Sequence, residues 1–250
     1  MILGKKSQRK LTAPVVDKKT IGPELNFAAA EAYKLLRTNL SFALPESDKC
    51  RVIGITSAGS GEGKSTTALN LGYMLAETDK KVLLLDADMR LPTVAQRLEL
   101  KSAPGLSNVL AGLSKGEKVL QNSGIQQNLR VIAAGDIPPN PSELLGSEKM
   151  QMALAVFSQH FDYIVIDLPP VNEVADALVV SKMIDGLLMV VCQNKATRGS
   201  VEEAMRQLKY AEAKILGFVM SFADSPKKGG KYYKKGYGYG YGERRVKEKP

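Results

Sequence analysis

The chain has 250 residues and 44% hydrophobic content, enough for one globular domain with tails. Its net charge of +9 is concentrated at the ends: residues 1–20 carry six Lys/Arg against one Asp and residues 227–250 carry nine Lys/Arg against two Glu, so residues 21–226 are mildly acidic. MILGKKSQRK lacks the apolar stretch of a signal peptide, no run approaches the ~20 apolar residues of a bilayer span, and Cys50 and Cys192 form no metal or disulfide pattern; these features lead us to expect a cytoplasmic chain that meets a membrane only through a partner.

In chain order, residues 1–22 read as an extended N-terminal arm. Asn26–Leu44 has helical apolar spacing and stops at Pro45. Strands are expected at Val52–Thr56, Lys81–Leu85, Leu129–Ala133, Tyr163–Ile166, Gly186–Cys192 and Ile215–Ser221. Helices are expected at Lys64–Glu77, Leu106–Leu110, Ser147–His160, Ala175–Met183 and Ser200–Ala211. The strands are near-continuous apolar runs, as in a parallel sheet covered on both faces. Alternating strands and helices predict an α/β fold with right-handed crossovers and a ligand site at the carboxyl ends of the strands. The folded domain is read as 23–226. The tail 227–250 contains GGKYYKKGYGYGYG, which has no aliphatic residue, so a disordered basic tail is expected. It holds five of the nine tyrosines: Tyr232, Tyr233, Tyr237, Tyr239 and Tyr241.

Between the first strand and the next helix stands Ala58–Thr66, AGSGEGKST. Strand, glycine-rich loop and helix form the context of a nucleotide phosphate loop. Gly59, Gly61 and Gly63 let the backbone N–H groups of Ser60, Glu62 and their neighbours point at an anion, and the helix N-terminus adds partial positive charge. Lys64 can reach the β- and γ-phosphates of ATP, Ser65 can ligate Mg²⁺, and Thr66 completes the loop. Ala58 replaces the usual first glycine.

A Mg²⁺–nucleotide site also needs carboxylates at strand ends. KVLLLDADMR delivers Asp86, with Asp88 and Arg90 following on the same side if the chain stays extended. YIVIDLPP delivers Asp167 in the same way. An aspartate after a strand is often only a cap or turn former. Three of them beside a phosphate loop would repel one another, and a divalent cation removes that conflict.

Together these motifs resemble the bacterial protein-tyrosine kinases with a P-loop NTPase-like fold, over roughly Phe27–Gly242. The resemblance rests on AGSGEGKST, VLLLDADMR, IVIDLPP, GDIPPNPSELL at Gly135–Leu145 and the tyrosine cluster. It implies ATP and Mg²⁺ as cofactors. Lys64 and Ser65 would then bind phosphate and metal, Asp88 and Asp167 would hold the metal, and Asp86 would be the base for a tyrosine hydroxyl. Arg90 would stabilise phosphate charge or pair with Asp88. The five tail tyrosines would accept phosphate. The family's E-x-x-R-x-x-R subunit-contact motif has a counterpart in Glu31, Lys34 and Arg37, with Lys34 in place of the first Arg, implying a ring-like homo-oligomer. An Asn is expected where Ser221 stands, so the adenine contact is left without an owner. The implied partners are a transmembrane, polysaccharide co-polymerase-like activator, other protein substrates and a tyrosine phosphatase. The implied role is control of surface polysaccharide synthesis and export from the inner face of the membrane.

Two other readings compete. A partitioning or positioning ATPase would share the fold, but such proteins carry a second lysine early in the loop, where this chain has Gly59, and they leave the tyrosine tail unexplained. Basic residues interleaved with aromatics can also stack on bases, although nucleic acid is not an expected partner. His160, the only histidine, is expected to sit near the dipole at the end of the Ser147–His160 helix.

Overall fold

The computed structural model describes residues 20–44 and 49–223. Tyr232, Tyr233, Tyr237, Tyr239 and Tyr241 lie outside the described residues, as does most of the N-terminal arm.

Seven strands form one sheet: β1 (Arg51–Ser57), β2 (Val82–Asp86), β3 (Gln121–Asn122), β4 (Leu129–Ile132), β5 (Tyr163–Asp167), β6 (Gly186–Cys192) and β7 (Ile215–Ser221). Their order is β3-β4-β2-β5-β1-β6-β7, all parallel except the short β3. The helices are α1 (Phe27–Ala43), α2 (Lys64–Ala76), α3 (Val94–Arg97), α4 (Leu106–Leu110), α5 (Gly116–Val119), α6 (Pro141–Leu145), α7 (Glu148–Phe157), α8 (Asp176–Val180) and α9 (Arg198–Tyr210).

Each central strand divides its side chains between two cores, because alternate residues point to opposite faces. Val82 and Leu84 of β2, Val165 of β5 and Leu188 and Val190 of β6 pack with Leu69, Leu71 and Leu75 of α2. Leu83, Leu85, Ile164, Ile166, Leu187 and Met189 pack on the other face with Met150 and Leu154 of α7 and Ala204 and Leu208 of α9. Both faces are covered, which is why the strands read as unbroken apolar runs.

The alternation matters for the site. Asp86 and Asp167 continue the alternate set that faces α2, and the β2–β5 register makes them direct neighbours. Two adjacent strand ends therefore deliver two carboxylates beneath the start of one helix.

Several expectations change in detail. The arm does not run free to residue 22: Ile21 is buried, the Gly22 N–H donates to Asn70 Oδ1 at 2.9 Å, and Asn70 Nδ2 donates to the Thr20 carbonyl at 2.9 Å. The pattern predicts a loose end because a single apolar residue carries no periodicity. Helix α7 stops at Phe157, so the exposed His160 lies in the turn beyond it rather than on the last helical turn. The Ala175–Met183 helix is the short α8 followed by a 3-10 turn at Ser181–Met183. Elements β3, α3, α5 and α6 span two to five residues, too short for a periodic signal.

Candidate active site

The phosphate loop leaves β1 at Ser57 and enters α2 at Lys64. Gly61 and Gly63 have φ of 68° and 93°, a left-handed backbone that side chains resist and glycine accepts. The Gly59 N–H is taken by Glu62 Oε1 at 2.8 Å, and the Ser60 N–H and Oγ both donate to Glu173 at 2.8 Å. The next five backbone N–H groups, from Gly61 to Ser65, have no protein acceptor among the described residues. An array of unsatisfied N–H groups at a helix N-terminus is a built anion cradle.

Lys64 is nearly closed to solvent, and its ammonium lies 3.9 Å from Asp88 Oδ2. Asp167 is fully buried, and neither of its carboxylate oxygens has a hydrogen-bond partner. Burial raises its pKa to about 6, while the charge of Lys64, the nearby Ser65 hydroxyl and Arg97 pull it down. A buried carboxylate with two orphaned oxygens is costly unless something meets it.

Mg²⁺ fits these residues. It demands few protein ligands and keeps water and phosphate oxygens for the rest. Ser65, Asp88 and Asp167 supply a hydroxyl and two carboxylates, and no group of three or more His, Cys, Asp or Glu is preassembled for a metal among the described residues. The donor set thus suits a metal that arrives with its nucleotide.

Asp86 serves the loop. Its Oδ1 accepts from the Asp88 N–H at 3.2 Å and its Oδ2 from the Val94 N–H at 3.1 Å, which folds residues 88–94 into a turn. Burial, then the neighbouring Asp167, pushes its pKa well above the usual carboxylate range. Arg90 does not pair with Asp88. The chain does not stay extended past Asp88, and the Arg90 guanidinium forks onto Asp176, with both contacts at 3.2 Å, and also donates to Ser142 Oγ at 3.1 Å. On α1, Arg37 donates to the Met74 carbonyl of α2 at 2.7 Å, while Glu31 and Lys34 pair with each other at 2.8 Å on the exposed face. Arg37 thus fastens α1 to α2 within the chain.

The family described as AAA domain (AAA_31) matches residues 50–215, which contain the phosphate loop and the strand-end carboxylates. Tyrosine-protein kinase YwqD of Bacillus subtilis (strain 168) is 38% identical over 212 residues, covering 85% of each chain. The chain belongs to the bacterial tyrosine-protein kinase family. A putative tyrosine-protein kinase CapB of Staphylococcus aureus is 33% identical, covering 82% of this chain and 89% of its own. Among solved structures, the kinase domain of Escherichia coli tyrosine kinase ETK superposes with a TM-score of 0.79 at 30% identity, covering 94% of this chain and 89% of that one. The septum site-determining protein MinD from Pyrococcus horikoshii, at 24% identity and a TM-score of 0.57, shares the fold.

Two residues of this tyrosine-protein kinase site escape the sequence motifs. Arg97 on α3 donates to Thr66 Oγ1 at 2.8 Å and to Thr93 Oγ1 at 3.3 Å, tying the acidic turn to the end of the phosphate loop. Burial lowers its pKa, and the charges of Asp167 and Asp86 support its protonated form. Glu173, six residues beyond Asp167, holds Ser60. Arg97 falls on a four-residue helix and Glu173 in a loop, so neither carries a spacing signal.

Proposed function

We propose that this kinase transfers the γ-phosphoryl group of Mg-ATP, in trans, to Tyr232, Tyr233, Tyr237, Tyr239 and Tyr241 of a second copy. The observation that carries the reading is Asp167: a buried carboxylate with two orphaned oxygens, beside Lys64 and Ser65, at the mouth of an open N–H cradle. In the reaction the tyrosine oxygen forms a bond to the γ-phosphorus, the bond to the β–γ bridging oxygen breaks, and ADP leaves. Mg²⁺, when bound, neutralises charge on the phosphates. Ser65, Asp88 and Asp167 are the residues to hold it. Lys64 and the N–H groups of Gly61–Ser65 orient the phosphates.

Asp86 receives the tyrosine proton in this reading. Burial and the neighbouring Asp167 raise its pKa, which makes its carboxylate form a stronger base. The role requires the 88–94 turn to open, because Asp86 is fully buried beneath that turn and a tyrosine hydroxyl must reach it. The family resemblance supports the wider setting: a transmembrane activator, assembly into a homo-oligomer, reversal by a tyrosine phosphatase, and control of surface polysaccharide synthesis.

The test is phosphotyrosine mass spectrometry of the full chain after incubation with Mg-ATP, with and without Lys64→Met, the activator's cytoplasmic segment being supplied in a parallel arm. Lys64-dependent phosphate on the tail tyrosines is the expected result. Nucleotide hydrolysis without phosphotyrosine in either arm would instead support the positioning-ATPase reading, whose fold this chain shares.

A further inference from the structure

A threonine in a helix often returns its hydroxyl proton to a carbonyl one turn back. Thr38 of α1 does so, donating to the Lys34 carbonyl at 3.0 Å. Thr66, on the first turn of α2, does not. The carbonyl four residues back belongs to Glu62 and accepts from Ser221 Oγ at 2.6 Å. The carbonyl three residues back belongs to Gly63 and accepts from the Thr67 N–H at 2.9 Å. Thr66 Oγ1 instead accepts from Arg97 Nη1 at 2.8 Å, and its own proton has no protein acceptor among the described residues. A hydroxyl carries one proton and two lone pairs. With a guanidinium on one lone pair, the proton is left for an acceptor outside the protein.

The place selects that acceptor. Thr66 directly follows Lys64 and Ser65, at the end of the open row of N–H groups, where a helix N-terminus favours an anion. Arg97 is itself firmly held. Its Nε donates to Thr93 Oγ1 at 3.3 Å, and Val94, at the other end of α3, is fully buried in the core with Leu69 and Leu71 of α2. The Val94 N–H donates to Asp86 Oδ2 at 3.1 Å. Helix α3 is therefore fixed to α2 both by packing and by the Arg97–Thr66 bond.

We propose that Arg97 is a positioning residue for phosphoryl transfer: it aims the Thr66 hydroxyl at a phosphate oxygen of the nucleotide and anchors the far end of the acidic turn to the loaded phosphate loop. The phosphate accepts from Thr66, Thr66 accepts from Arg97, and Arg97 stands on the short helix whose first N–H meets Asp86. One line of contacts thus joins the nucleotide to Asp86, and α3 is the stationary end against which residues 88–93 open. The inference rests on the ATP site proposed above.

The experiment is a double-mutant cycle in the full chain: Arg97→Met, Thr66→Val and both together. ATP affinity is measured by calorimetry and tyrosine phosphorylation at saturating Mg-ATP. Each single variant should lower the saturated rate by about 10- to 100-fold, the scale of a misplaced reacting group, while ATP binding weakens no more than about fivefold, the scale of one hydrogen bond. The double variant should lose no more than the worse single variant, because the two residues act as one unit. Arg97→Lys, which keeps the charge and a donor, should recover part of the rate. Losses that multiply in the double variant would overturn the link. So would an Arg97→Met chain that melts lower yet keeps its saturated rate, since Arg97 would then be only a structural tie. If the unmodified chain hydrolyses ATP without forming phosphotyrosine, the kinase reading fails and the same cycle is read in the hydrolysis rate, where non-additive losses support the link and multiplied losses overturn it. Failure of the unmodified chain to bind ATP would overturn both.

Discussion

Asp167 shows how one residue couples stability to function. Its pKa is raised from 3.8 to about 6 in the folded, metal-free chain. The folded state therefore holds a proton that the unfolded state has lost between those values. The unfolded chain binds fewer protons in that window, so stability falls as pH rises from about 4 to about 6 and levels off above it. Asp167→Asn removes the buried charge. In chelator, its melting temperature should exceed that of the unmodified chain at pH 7.5, and the gap should close near pH 4. The same variant should lose tyrosine phosphorylation by about 10² or more, as expected when a metal-holding carboxylate is removed. A variant that melts no higher at pH 7.5 would show that the carboxylate is not strained in the free protein.

At the scale of elements, the acidic turn after β2 is held from both sides. Arg97 ties it to Thr66 of the phosphate loop, and Arg90 ties it to Asp176 at the start of α8, where Ser142 of α6 also bonds Asp176. Asp176 is fully buried and Arg90 is partly exposed, so the fork supplies the charge that makes the buried carboxylate tolerable. Arg90→Met should cost roughly 3 kcal/mol, or about 6–12 °C in melting temperature for a domain of this size. Adding Asp176→Asn should recover part of the loss, because no buried charge is then left alone. If Arg90→Met melts normally yet abolishes phosphorylation, the guanidinium works on phosphate rather than as a clamp. Cys50 contributes nothing nucleophilic near neutral pH: burial pushes its thiol up to about 11.

At the scale of the molecule, charge separates the folded body from its ends. Residues 227–250 carry a net +7, and the body between the tails is mildly acidic. Five phosphotyrosines at about −1.5 to −2 each would add roughly −7.5 to −10, enough to reverse the tail. Where the basic tail helps hold neighbouring copies together, full phosphorylation should lower the assembled mass measured by light scattering. Equal masses for the phosphorylated and unphosphorylated chain would remove the switch. Among the described residues, no helix is long and apolar enough to cross a membrane.

Much of this was legible in the residues themselves. Val52–Thr56, AGSGEGKST and the following helix read directly as strand, cradle and helix, because phosphate binding needs contiguous N–H groups and small residues in one short segment. Asp86 and Asp167 were legible for a similar reason: a parallel strand buried on both faces leaves its first polar residue at the carboxyl edge. Contacts that depend on distant segments were not. That Arg90 turns to Asp176, that Arg37 bonds the Met74 carbonyl, and that Arg97 and Glu173 hold the phosphate loop could be decided only by packing, since each pair is joined by neither periodicity nor fixed spacing. The sequence by itself determined the chemistry available, a triphosphate cradle with strand-end carboxylates. The tertiary structure alone decided which charge each side chain meets, because burial and sheet order set those distances and the chain's local pattern does not.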